Sequence, residues 1–90
     1  MKKKRDIRIV ILQRGWVVVG DYSQKQSQCM LEEAAVIRRW GTTKGLGEIA
    51  SKGPLQNTIL DPCHIVKFHE MTVIATIDCV EELWAKSLSL

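Results

Sequence analysis

Apolar positions cluster in short runs along this chain rather than spreading evenly. Ile7–Leu12 and Trp16–Val19 are apolar at nearly every position and rich in β-branched residues, the composition of strands. Gln13-Arg14-Gly15 separates them, and a short glycine-containing link between two such runs reads as a hairpin turn. Strands that are apolar on every residue are covered on both faces or lie centrally in a tightly curved sheet. Gly20-Asp21-Tyr22 is expected to end the second strand. The polar Ser23–Gln28 is expected to form an exposed loop.

Cys29–Trp40 carries mixed signals. Leu31–Ala35 has good helix propensity, whereas Val36-Ile37 before Arg38-Arg39-Trp40 looks like a strand. A strand pair is favoured, with a turn or bulge near Glu32-Glu33 and a strand over Ala35–Trp40. A helix over Met30–Arg39 satisfies propensity equally. Thr42 or Thr43 is placed to cap a helical turn through Leu46–Ser51, which Gly53-Pro54 would stop. Thr58–Leu60 reads as a short strand and Asp61-Pro62 as a turn. Ile65–His69 and Thr72–Ile77 both alternate, Val66 and Phe68 facing away from Ile65, Lys67 and His69. The two are expected to pair, with Glu70-Met71 between them. Asp78 and Glu81 resemble a capping box for a C-terminal helix. Val80, Leu83 and Trp84 would form its buried stripe. The sum is a mainly β (α+β) fold: about five or six strands in a small curved antiparallel sheet or barrel, a short helical turn and a C-terminal helix.

Composition narrows the picture. Ninety residues, 46% of them hydrophobic, suit one β-rich domain over residues 7–90 behind a basic, flexible tip at 1–6. A core this small gains from self-association, so a homo-oligomer is expected. The net charge is +3, yet Lys2, Lys3, Lys4 and Arg5 supply four of the 13 basic residues. Without them 9 basic residues face 10 acidic ones, so the body is near neutral. No run approaches the ~20 apolar residues that span a membrane. Ile7–Leu12 is too short for a signal peptide and is interrupted before any cleavage site; a cytoplasmic protein is expected. The odd cysteine count (Cys29, Cys63 and Cys79) argues against a disulfide framework and for thiols acting as small core residues.

Candidate chemistry centres on Arg38–Gly47. Its glycines suggest a phosphate loop, but Lys44 precedes Gly45 and Leu46 follows it, so the spacing of a nucleotide-binding loop fails. Tight turning through positive φ is the plainer use of these glycines. Arg38, Arg39, Trp40, Thr42, Thr43 and Lys44 bring cations, an aromatic ring and hydroxyls together, as protein-contact surfaces do. Against that, the residues fit equally well with Trp40 as core and the arginines as a solvated strand end. Cys63, His64, His69, Glu70 and Cys79 lack the paired spacing of a zinc site. Cys79 stands where the proposed helix dipole would lower its pKa, but burial as a core residue is the favoured outcome. The carboxylates are scattered. No catalytic residue, metal or cofactor is predicted.

Val36–Pro54, reading VIRRWGTTKGLGEIASKGP, resembles a family of small uncharacterised proteins of phages, prophages and bacteria. The likeness extends to Thr58-Ile59-Leu60-Asp61 and to Trp84, covering most of the chain from Ile9 onward. It implies a phage or mobile-element accessory protein, a genomic setting rather than a mechanism. The functional expectation is a non-enzymatic protein-binding or assembly module, its partner a host or phage protein, using Arg38, Arg39, Trp40, Thr42, Thr43 and Lys44. The alternative is a small nucleic-acid-binding β-domain with Lys2, Lys3, Lys4, Arg5, Arg38, Arg39 and Lys44 on phosphates. The near-neutral body weighs against that alternative.

Overall fold

A computed structural model describes residues 5–41 and 45–88. Strands β1 (Ile7–Leu12), β2 (Val17–Lys25), β3 (Gln28–Arg39), β4 (Ile59–His69) and β5 (Val73–Asp78) are joined with short helices α1 (Leu46–Lys52) and α2 (Glu81–Trp84). All strand pairs are antiparallel, in the order β4-β3-β2-β1-β5. The sheet curves without closing, as the mainly β reading of the sequence anticipated.

The doubly apolar runs have the predicted cause. On β1, Ile7 and Ile9 enter one core while Val10 and Leu12 enter another. The first core contains Leu46, Ile49 and Ala50 of α1, Trp84 of α2 and the following Leu88. The second is made of strand residues alone, among them Val18, Leu31 and Ala34 with Val66 and Phe68 beside them. No helix among the described residues covers it, so the sheet's own curvature must.

That curvature has a local origin. Leu31, Ala34 and Val36 belong to the same core although strict alternation would divide them. Glu33 (φ 47°) is the extra residue that resets the phase. Cys63 and Val66 are likewise reconciled by His64 (φ 64°), which lies opposite Ala34 in the register. On β2 the register slips between Val19 and Asp21. There a Cβ on Gly20 would stand 3.0 Å from the Glu32 carbonyl oxygen and 3.1 Å from Ala34 Cα. Three neighbouring strands therefore bend along one line, Gly20–Glu33–His64.

Several local expectations are corrected. β2 does not end at Gly20 but continues to Lys25, and Gln26-Ser27 alone form the turn into β3. Pairing of Tyr22 with Leu31 and of Gln24 with Cys29 holds these polar residues in the ladder. Cys29–Trp40 is neither a helix nor a strand pair: β3 is one strand from Gln28 to Arg39, and the bulge near Glu33 is the part anticipated. Asp61-Pro62 is inside β4, not a turn. An edge strand tolerates a proline, which needs no partner for the missing N–H. Ile65–His69 and Thr72–Ile77 do not pair. The first pairs with β3 and the second with β1, so the 3-10 turn Glu70–Thr72 carries the chain from one edge of the sheet to the other. Alternation marks a strand without naming its neighbour.

α1 runs one residue past the expected Ser51 and stops at Gly53 as anticipated, whereas α2 is shorter than expected and is capped differently. Gly45 is the N-cap of α1 and makes no side-chain cap; Thr42 and Thr43 lie outside the described residues. Gly53 closes α1 by donating its N–H to the Ile49 carbonyl. Asp78 ends β5 and does not cap α2, because Cys79 N–H still bonds the Ile7 carbonyl and prolongs the sheet pairing. Val80 and Leu83 remain exposed. Trp84 and Leu88 are the residues that dock, Trp84 donating its indole N–H to the Ile49 carbonyl at 3.1 Å.

Candidate functional site

Arg38, Arg39 and Trp40 close β3 as it leaves the sheet. The β3–β4 register runs from Ile37 opposite Leu60 to Arg39 opposite Ile59, leaving Arg38 as an extra residue. Its guanidinium meets Asp61 at 3.0 Å. Arg39 is exposed and has no carboxylate partner among the described residues. Trp40 is 42% exposed, which places it at the surface rather than in either core. Its carbonyl accepts a hydrogen bond from the Thr58 hydroxyl at 2.6 Å. Gly41 follows with φ 68°, packed so closely on Asn57 that a Cβ would collide with its backbone. The glycine there does what the sequence suggested: it makes a corner. Thr42, Thr43 and Lys44 lie outside the described residues, as do Lys2, Lys3 and Lys4. Arg5 stands apart from this group, beside Glu81 at 3.9 Å.

The structure adds a feature that sequence patterning did not reveal. A cleft of about 480 Å³ opens on the strand-only core. Leu12, Val18, Val36, Val66 and Phe68 contribute apolar surface, and Trp16, 58% exposed, forms part of its wall. Cys63 and Thr72 also line it. Its volume falls within the range of small-ligand and side-chain pockets. The charged lining residues are Arg14 and Lys67, with no carboxylate among them. Arg14 sits in the 3-10 turn Gln13–Gly15 with a left-handed backbone (φ 68°, ψ 22°), and the turn is closed by Leu12 N–H on the Trp16 carbonyl at 2.7 Å. Asp61 is opposite Val36 in the register, so the Arg38–Asp61 pair stands at the cleft's border. In sequence Trp16 was a strand-head apolar residue and, with Trp40, a candidate for stacking on bases in the nucleic-acid alternative; nothing marked it as part of a cleft. Only the bend that brings β4 over the sheet turns it into a wall.

Of the three thiols Cys29 is buried, while Cys63 and Cys79 are half-buried. Burial pushes the Cys79 pKa up to about 12. Burial, the outcome the sequence favoured, thus outweighs any helix dipole: Cys79 follows β5 and precedes a helix of four residues. Burial also raises the Cys63 pKa. Both are therefore thiols rather than thiolates near neutral pH. Burial raises the Tyr22 pKa to about 12, helped by its hydrogen bond to the Cys29 sulfur at 3.4 Å. A smaller pocket at the bend is lined by Glu33, His64 and Ser87, but no hydrogen bond joins these three. Among the described residues no group of three or more histidine, cysteine or acidic side chains is placed to hold a metal ion. Nor is any helix among them long and apolar enough to cross a membrane.

No protein-family model matches the chain, and no curated protein matches it.

Proposed function

We propose that this chain is a non-enzymatic protein-binding module whose cleft receives an apolar side chain of a partner protein. The observation that carries this reading is the open apolar cleft with an exposed tryptophan in its wall. Aromatic anchors and apolar pockets of this kind dominate protein contacts. Arg38, Arg39 and Trp40 extend the contact surface from the border of the cleft along the end of β3; Thr42, Thr43 and Lys44, outside the described residues, belong to the same proposal. The same proposal makes the chain a phage or mobile-element accessory protein of the cytoplasm, with a host or phage protein as partner. Self-association belongs to the same reading. Light scattering tests it, with a dimer or larger species expected and a strict monomer at high concentration removing that part.

The binding test uses the immobilised full chain, nuclease-treated lysate and two variants. Wild-type protein retains a defined partner, Trp16→Ala loses it, and Lys86→Ala keeps it. Equal retention by wild type and Trp16→Ala overturns the role of the cleft. The nucleic-acid alternative is tested with short single-stranded and duplex oligonucleotides at two salt concentrations. Salt-sensitive binding lost with Arg38→Ala and Arg39→Ala would favour it. The near-neutral body weighs against it: without Lys2, Lys3, Lys4 and Arg5, 9 basic residues face 10 acidic ones.

A further inference from the structure

The geometry points to an extended, acidic segment of the partner as the occupant of the cleft, laid along the free edge of β4 as an added strand. This rests on the protein-binding reading above and specifies its ligand. β4 is an outer strand of the sheet. Glu70 N–H bonds the Ser27 carbonyl, and antiparallel pairing then directs the main-chain groups of residues 66 and 68 toward β3 as well. Ile65, Lys67 and His69 therefore turn theirs outward. The His69 carbonyl is taken by the Thr72 hydroxyl at 2.7 Å. The N–H and C=O groups of Ile65 and Lys67 and the N–H of His69 remain for a guest. Pro62 and the bulge at His64 confine the usable edge to this stretch.

Side chains and charge complete the argument. Val66 and Phe68 line the cleft from this same stretch. A strand beside them places every second side chain on the cleft side, the arrangement used when a peptide augments a sheet. The charged residues lining the cleft are both cations, Arg14 and Lys67. Neither makes an ion pair with a described residue, so both are available to a carboxylate. A second copy of this chain is a poor guest on the same edge, because its own Lys67 would approach Lys67.

A displayed library of random eight-residue peptides, selected on the full chain, tests the inference. The expected result is a sequence family with an aromatic or branched apolar residue and Asp or Glu close by. Replacing that acidic residue by Ala, or introducing Arg14→Glu with Lys67→Glu, then weakens binding by roughly ten-fold. N-methylation of the selected peptide abolishes binding at alternate amides only. A selected family without acidic residues, affinity indifferent to the two charge reversals, or N-methylation without alternation overturns this inference and leaves the cleft reading standing. Selection of no family, or of one that binds Trp16→Ala as well as wild type, overturns both. Circular dichroism of each variant confirms that a loss is not unfolding.

Discussion

Cys79 and Tyr22 show how single residues tie this protein to pH. Burial raises the Cys79 pKa from the ordinary thiol value of 9.0 to about 12 and that of Tyr22 from 10.0 to about 12. As pH rises past 9 the unfolded chain releases protons that the folded chain keeps. Stability is thus fully present below about pH 9 and is lost progressively toward pH 12. Thermal melts at pH 8 and pH 10.5 should show a lower midpoint at the higher pH. Cys79→Ala should lose less between the two, while a difference equal to wild type would deny Cys79 that role. By contrast, the Arg38–Asp61 pair is more than half exposed on both sides. Asp61→Ala should change stability by less than about 1 kcal/mol in chemical denaturation. It should also free Arg38 for contact at the border of the cleft.

At the scale of elements, the bend and the docked indole matter most. Gly20 lies where a Cβ would press on the Glu32 carbonyl, Ala34 Cα and Leu31 Cβ. Gly20→Ala must spread β2 from the β3 bulge, and should cost about 1–3 kcal/mol by denaturant titration. Trp84 is fully buried and holds α1 through its indole N–H. Trp84→Ala should cost about 3–5 kcal/mol, whereas Leu83→Ala, on an exposed neighbour, should stay within about 0.5 kcal/mol in the same titration. The sequence showed β1, the start of β2 and the bulge near Glu33, because apolar runs and a propensity conflict are local signals. It misread the end of β2, the interior of β4 and the cap of α2. In each case tertiary pairing overrode a local sign: cross-strand partners hold Ser23–Lys25 in the ladder, the edge position admits Pro62, and the Cys79–Ile7 bond keeps Asp78 in β5.

For the whole molecule, the consequence of folding one sheet over itself is a pair of cores, one sealed by helices and one left open as the cleft. Cys63 lines that cleft and serves as an internal reporter. Its labelling by a maleimide at pH 8 should slow several-fold when a cleft ligand is bound, and an unchanged rate would place the ligand elsewhere. The candidate site was legible only in part. Arg38, Arg39 and Trp40 stood out by residue type, and their exposure agrees with a surface role. The cleft was invisible because its lining comes from positions 12 to 72 of the chain, and no local pattern records which strands will meet. The sequence by itself determined a β-rich chain with two-sided apolar strands, a glycine corner at Gly41 and a near-neutral body, since periodicity, backbone freedom and charge are properties of neighbouring residues. Strand order, the bend through Gly20, Glu33 and His64, and the cleft with Trp16 in its wall were decided only in three dimensions. They follow from which edges pair, and pairing is set by long-range packing rather than by local pattern.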